Sequence, residues 1–519
     1  MEEHEASVAS IAATVRHFHD EKIPFRIYHG STNSTRQTTF QRDKIIDTSS
    51  LNRVLNVDMK AKTVLVEPNV PMDLLVDATM ECGLLPPVVM EFPGITAGGG
   101  FVGTAGESSS FKHGFFDRTV NRIEMVLANG EVVRASKKVK GDLFHGSAGS
   151  FGTLGVLTML EIQCIDAKPY VELVYHPVSS PAESVQKTQE VTKDPKNDYV
   201  DGILFGPTNG AIITGRLTSK LHPGTKLQKF SRPLDPWFYI HAESMVSSTT
   251  RTDIVPIRDY LFRYDRGAFW TGRYAFSYFL TPFNWVTRAL LDHFMHTRVM
   301  YHALHASGHM KQYIIQDLAL PVAHAEEFIN WVNAKFGFFP IWLCPLRQDF
   351  EASMGHPGAL IQHNTERGSS GLLNVGVWGP GPTNPSTFTS INRDLEAKLR
   401  ELGGIKWLYA QAFYTEEEFW SIYDRKPYDA LREKYGASGL PTVYDKVKVR
   451  KEVEEGTGLK AQLRRRIRET PFLSGLYGVY KAIFGKDYLL ARTSGDSVGL
   501  VSIGFILLLL TLLVGFLVV

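Results

Sequence analysis

The stretch from Phe92 to Gly114, FPGITAGGGFVGTAGESSSFKHG, constrains this chain more than any other segment. It sets Gly94, Gly98, Gly99, Gly100, Gly103, Gly106 and Gly114 among Thr, Ser and Ala, with few bulky side chains between Phe92 and Phe111. Such a run has little to bury, so it is expected to serve as a loop rather than as a packing element. Glycine admits positive φ and lets another group approach the main chain closely. Successive exposed N–H groups form a concave donor surface suited to phosphate oxygens. The segment therefore reads as a nucleotide cradle.

Gly98 to Gly103, GGGFVG, satisfies the spacing G-x-G-x-x-G. A dinucleotide fingerprint of that kind needs a buried strand directly before it and a helix directly after it. Pro93 and Gly94 break any preceding strand, and no apolar helical run follows before Ser108, so the Rossmann reading fails. The plain alternative is a Gly-rich surface loop that holds nothing.

At 519 residues the chain is expected to form two or three units. Hydrophobic residues make up 44% and charged residues 21%, the balance of a globular protein. A net charge of +2 gives no reason to expect a nucleic-acid partner. The three cysteines, Cys82, Cys164 and Cys344, are too few and too scattered for a disulfide framework or a Cys-rich metal site. The opening MEEHEASVAS is acidic and has no apolar core region, so no secretory signal is expected. Residues 498–519, VGLVSIGFILLLLTLLVGFLVV, carry no charge, and about 20 apolar residues span a bilayer. With Arg492 and Arg464-Arg465-Arg466 upstream, this segment is expected to be a single-pass tail anchor, with the body of the protein cytosolic.

Residues 7–20 suggest an amphipathic helix with Val8, Ile11, Ala12, Val15 and Phe18 on one face. Strands are expected at residues 25–28, 44–47 and 63–67, and a helix over Asp73 to Gly83. Asn129-Gly130 between two apolar runs predicts a hairpin. A second glycine cluster, DLFHGSAGSFGTLGV, spans Asp142 to Val156 and leads into a strand. Pro169 marks a plausible boundary. Beyond it, segments such as Trp237 to Ser244, Arg266 to Trp270 and Phe338 to Pro345 are rich in aromatic residues. These suit either a core or the lining of an apolar ligand tunnel.

Gly/Ser-rich loops near residues 30, 100 and 149 are laid out as in a PCMH-type FAD-binding domain, which the chain resembles from about residue 7 to 168. The blocks GESSSFKHG at Gly106, PIWLCP at Pro340, WLYAQAFYTEEEFWSIYD at Trp407 and LREKYG at Leu431 resemble the Δ24-sterol reductase family of the Diminuto/Dwarf1 type. This resemblance extends over nearly the whole chain before the anchor. It implies an α+β fold: a PCMH-type FAD-binding domain of two α+β subdomains (7–168), an α+β substrate or cap domain (169–450), a linker and juxtamembrane segment (451–497) and a C-terminal transmembrane helix (498–519). It places flavin contacts on Gly30, Ser31, Thr32, Asn33 and Ser34 in the first loop, and on Thr96, Gly98, Gly99, Gly103, Thr104, Glu107, Ser108 and Ser109 in the cradle. In the third cluster it places them on Gly149, Gly152, Thr153, Leu154 and Gly155. Glu107 is the odd member, since a carboxylate beside an anion is costly; it suits a ribityl hydroxyl, a ring edge, or a place behind the loop. Covalent relatives tether flavin through a His after paired glycines or through a Cys. Here His29 precedes Gly30 and no Cys lies in the cradle, so non-covalent FAD is expected. The family carries its membrane segment at the N-terminus, whereas this chain carries its apolar stretch at the other end.

The resemblance further implies NADPH as the reductant, a sterol or related terpenoid drawn from the bilayer as substrate, and an endoplasmic-reticulum membrane. An isolated alkene has no electron-withdrawing group, so reducing it requires a general acid beside one carbon and a hydride donor beside the other. Tyr409 and Tyr414 are the first candidates for the acid, then Glu416 and His309; the plain alternative for each tyrosine is a core residue with a satisfied hydroxyl. His293, His296, His302, His305 and His309 have helical spacing but lack a complete ligand set, so no metal is expected. Two other readings stand beside the reductase: an FAD-linked oxidase of a hydrophobic metabolite, and a flavin-fold sterol-binding membrane protein without turnover.

Overall fold

The computed structural model describes residues 1–30, 34–36, 40–221, 223–246, 250–348, 351–358, 360–362, 371–449, 470 and 472–484. Two antiparallel sheets organise the chain. The first runs Val54–Asp58, Thr63–Val66, Gly155–Gln163, Val120–Leu127, Val132–Ser136 from edge to edge. The Asn129-Gly130 hairpin forms, with Gly130 at φ +84 and Val126 opposite Val132. The first strand, Val54–Asp58, sets Asn56 and Asp58 among Val54, Leu55 and Val57 and lies outside the expected strands. A separate parallel pair joins Arg26–Tyr28 to Ile45–Asp47.

The N-terminal helix spans Glu2–Asp20 and buries Val8, Ile11, Ala12, Val15 and Phe18. It starts earlier than its apolar stripe requires, because His4 is buried between Glu67 (2.9 Å) and Glu124 (3.1 Å). After Gln163 the chain leaves the first sheet and enters the second at Tyr170. That sheet runs Arg251–Pro256, Tyr170–Val178, Asn209–Thr218, Tyr199–Gly206, Ile341–Arg347, Gly371–Pro380, Tyr313–Pro321, Ile405–Lys406.

The period-two pleat gives the second sheet two different faces. Val200, Leu204, Ile314, Leu318, Leu343, Val375 and Val377 share an apolar cluster with residues of the helices Val322–Phe336 and Pro385–Glu401. The residues between them in sequence (Asp201, Asp317, Trp342, Asn374 and Trp378) belong to the opposite face. Four of these, all except Asp201, line the main cavity. The sheet thus buries one side and presents a polar, aromatic surface on the other.

The glycine stretch corrects an expectation. It is a packing element: Ala97–Val102 forms a short helix capped by Thr96, whose side chain accepts from Gly99 N at 3.1 Å. Ala97, Gly98, Gly100 and Phe101 are buried. Gly98, Gly99, Gly100 and Gly103 do not serve positive φ; they allow close approach. A Cβ on Gly98 would lie 2.7 Å from Pro68 Cβ and 2.9 Å from its carbonyl oxygen. The N–H groups of Gly98, Gly100 and Gly103 donate to the carbonyls of Pro68, Thr96 and Gly99, so these donors are engaged within the protein.

The proposed anchor, 498–519, lies outside the described residues, as does most of 451–497. Among the described residues no helix is long and apolar enough to cross a membrane.

Gly98→Ala should lower stability by roughly 1–3 kcal/mol, the usual cost of overpacking against immobile neighbours. Gly99→Ala, whose Cβ would meet Thr96 Oγ1 at 3.1 Å as its nearest neighbour, should cost less. Denaturant unfolding of both variants checks this, and equal costs would contradict the close-packing account.

Candidate functional site

One large cavity is lined from both halves of the chain, by the cradle and its neighbouring loops and by the polar face of the second sheet. Its chemistry differs from end to end. One end gathers Phe92, Phe269, Trp342, Trp378, Trp407 and Tyr409 around Glu91, Glu107 and Asp317. The aromatic density of the second half is therefore both core and lining: Trp237 and Trp270 are fully buried, while Trp342, Trp378 and Trp407 also face the cavity.

Arg263 governs the acids at this end. Its guanidinium donates to Asp201 Oδ2 at 2.8 Å and to Glu91 Oε1 at 3.1 Å, and lies over the rings of Tyr260 and Tyr264. Tyr264 and Trp342 also donate to Asp201, at 2.7 and 3.2 Å. One positive charge thus serves two buried carboxyls, and Asp201 has the larger share of its donors. Despite the ion-pair distance, burial pushes the Glu91 carboxyl up to about 7. Glu107 is pushed higher still, by burial first and then by Glu91 beside it. Burial also raises Asp317, against the donors Asn374 (3.0 Å) and Tyr409 (2.6 Å). Near neutral pH this end holds carboxylic acids as well as carboxylates. Asn374 Oδ1 is buried without a donor among the described residues, as is Glu107 Oε2, so a molecule filling this end should bring N–H or O–H groups.

The other end is cationic: Arg26, Arg36 and Lys446 line it beside His29, Phe40 and Phe151. Burial, with Lys446 and Arg36 nearby, holds the His29 imidazole down at about 4. No carboxylate forms an ion pair with Arg36 or Lys446 among the described residues.

The expected flavin residues are distributed unevenly. Ser31, Thr32 and Asn33 lie outside the described residues. Ser34, Thr96, Gly98, Gly99, Gly103, Glu107, Gly152 and Gly155 line the cavity, and Gly30 lies just before the first loop at φ +82. Thr104, Ser108, Ser109, Gly149, Thr153 and Leu154 do not line it. Ser108 Oγ is paired with the Tyr260 hydroxyl (3.3 Å), Thr153 Oγ1 accepts from Tyr428 (2.8 Å), and Leu154 is core.

Of the four acid candidates, Tyr409 alone lines the cavity, its hydroxyl donating to Asp317. The other three are corrected. Tyr414 is buried in a separate cluster with Leu408, Phe419 and Tyr423. Glu416 is about 50% exposed in the first turn of the helix Glu416–Ile422, 3.3 Å from Arg425. His309 bonds Ser474 Oγ of the helix Leu473–Phe484 at 2.9 Å and is not among the lining residues. Among the described residues no three metal-ligating side chains converge. His296 instead bonds Asp265 (2.6 Å), and His305 donates to the Ser34 carbonyl (2.8 Å).

Sequence reasoning missed Glu91, Asp317, Arg36 and Lys446. The first two carry a readable signal, an acid inside an apolar run: PPVVMEFPG and YIIQDLALP. Taken together, the lining suits a long ligand that is anionic at one end and a flat hydrogen-bonding donor at the other. FAD, with its diphosphate and its ring system, meets both requirements.

Because folding raises the Glu91 pKa from 4.5 to about 7, the folded protein binds that proton more tightly than the unfolded chain does. The resulting stabilisation is complete below the unfolded value and is lost as pH rises through about 7. Glu91→Gln should therefore flatten the fall in melting temperature between mildly acidic and mildly alkaline buffer. An unchanged slope would contradict a protonated Glu91.

Comparison with known proteins agrees with this chemistry. A family model described as an FAD binding domain matches residues 5–136. The Delta(24)-sterol reductases of Macaca fascicularis and Homo sapiens are each 30% identical over 414 residues, covering 77% of this chain and 76% of theirs. That of Pisum sativum is 28% identical over 446 residues, covering 79% and 77%.

Proposed function

The chain belongs to the Δ24-sterol reductase family and is an FAD-dependent oxidoreductase, and on that footing we propose that it reduces the side-chain C24–C25 double bond of a sterol or related terpenoid, with NADPH as the ultimate reductant. Bound FAD supplies the hydride equivalent. The protein's part is to hold the alkene in a dry site and to deliver one proton to it. Net reduction adds that proton and the hydride, two hydrogens in all, across the double bond.

The observation that carries this reading is the Tyr409–Asp317 pair on the aromatic wall. In the geometry observed, the Tyr409 hydroxyl donates to Asp317 Oδ2. Burial favours protonated Asp317. In that state the carboxylic acid donates to the phenol oxygen and frees the Tyr409 proton to face the cavity. Proton delivery to carbon would then run from Asp317 through Tyr409, with Phe92, Trp378 and Trp407 excluding water. Burial also pushes the nearby Glu91 and Glu107 carboxyls up, which favours less negative charge beside the reacting alkene.

Incubation with NADPH and a panel of Δ24 sterols should give products two hydrogens heavier by mass spectrometry. No gain with any sterol would overturn the substrate reading. Tyr409→Phe should keep its flavin and lose roughly 10²–10⁴-fold in turnover; unchanged turnover would remove Tyr409 from the mechanism.

The uncharged stretch 498–519 supports a tail anchor that keeps the cavity beside the bilayer where such a substrate resides. A chain ending before Val498 should leave the membrane pellet while retaining its flavin, whereas persistence in the pellet would contradict an anchor there.

A further inference from the structure

The cationic end of the cavity is built from segments far apart in sequence. Arg36 follows the first loop, while Lys446 lies in the short helix Val443–Val447, whose N-cap is Thr442. The two side chains are neighbours: Arg36 Nη1 donates to the Lys446 carbonyl at 3.5 Å, and its Nε donates to Ser34 Oγ at 2.9 Å. The Arg36 guanidinium lies 4.8 Å from the centre of the Phe151 ring. Lys446 Nζ donates to the Phe151 carbonyl at 2.6 Å, which draws residue 446 onto the third glycine cluster. Phe151 itself holds φ +50, an uncommon conformation for an aromatic residue that turns its carbonyl toward Lys446.

These two cations, with Arg26, crowd a space walled by protein. Burial and the neighbouring guanidinium groups push the Lys446 ammonium well below its ordinary range and bring Arg36 down to about 10. Charges placed in this way are expensive unless an anion joins them. Described carboxylates near Lys446 are committed elsewhere: Asp445 pairs with Lys448 at 2.8 Å. The adjacent residues 31–33 and 37–39 contain no Asp or Glu. The cradle's own N–H groups at Gly98, Gly100 and Gly103 are already bonded within the protein, so they do not supply the missing anion contacts.

The geometry points to Arg36 and Lys446 as the side chains that hold the diphosphate of the dinucleotide cofactor, so that FAD ties the segment 443–447 to the N-terminal domain. This assignment rests on the FAD-dependent reading above and is independent of which alkene is reduced. It gives the diphosphate charge-assisted donors from both ends of the chain. Lys446 lies more than 300 residues beyond the matched FAD-binding segment, which ends at residue 136.

The test is flavin titration of the full chain after removal of its bound flavin, followed by fluorescence. Lys446→Met should weaken FAD binding at least tenfold and leave riboflavin, which lacks the diphosphate, within about twofold. Lys446→Arg should restore most of the FAD affinity. Without flavin, the Met variant should melt no lower than the wild type, because it removes a buried unpaired charge. Equal weakening of FAD and riboflavin, or a lower melting temperature without flavin, would mark a purely structural lysine and overturn the assignment. Unchanged FAD affinity would overturn it as well. Should the variant not fold, wild-type protein decides the matter: inorganic pyrophosphate should compete with FAD but not with riboflavin, and failure to compete refutes the site. None of these readouts requires sterol turnover, so they stand apart from the fate of the substrate reading.

Discussion

Arg263 is the contact on which the remainder of the site depends. Its guanidinium reaches Asp201 on the second sheet, Glu91 in the segment leading to the cradle, and the Tyr260 carbonyl at 3.0 Å. It therefore clasps the segment leading to the cradle to the sheet that carries the acid end of the cavity. Ion pairs buried this deeply contribute little net stability compared with apolar packing, and breaking one side of them is costly. What this one fixes is arrangement. Burial pushes the Glu91 and Glu107 carboxyls up, and Arg263, which Glu91 shares with Asp201, offsets this only in part at Glu91.

Charge is then divided along the cavity. The aromatic end carries acids pushed upward by burial, and the opposite end carries Arg36 and Lys446, which pair with no carboxylate among the described residues. A single long ligand with a diphosphate and a hydrogen-bonding ring satisfies both. The pleat makes the acid end possible: alternate residues of the strands Tyr199–Gly206, Tyr313–Pro321, Ile341–Arg347 and Gly371–Pro380 put an apolar surface under the helices and a polar one toward the cavity. Asp317 can sit in a strand that reads as hydrophobic because only one of its faces is core.

Much of this organisation was legible in the sequence. The hairpin at Asn129-Gly130, the stripe of the first helix and the glycine clusters have local causes, and they formed where local rules place them. Tyr409 could be singled out because its block is distinctive. Tyr414, five residues on, stands in the same block but joins another cluster, because the intervening Ala410 and Ala412 are buried and the chain turns away from the cavity. Nothing in the local sequence records that turn. The glycines of the cradle allow either backbone freedom or close approach, and Pro68 against Gly98 shows that contact distance decides, which depends on a partner 30 residues away. Lys446 and Arg36 were invisible for the same reason: a lysine in a charged segment reads as surface until the fold closes around it.

The central claim is that this cavity joins a flavin to a sterol alkene. The most direct measurement is anaerobic: the bound flavin is reduced with NADPH, oxygen is excluded, and a Δ24 sterol is added while the flavin absorbance is followed. The account predicts rapid return of the oxidised flavin spectrum, with one saturated product formed per flavin. A flavin that stays reduced with every Δ24 sterol and reoxidises only when air is admitted would contradict it.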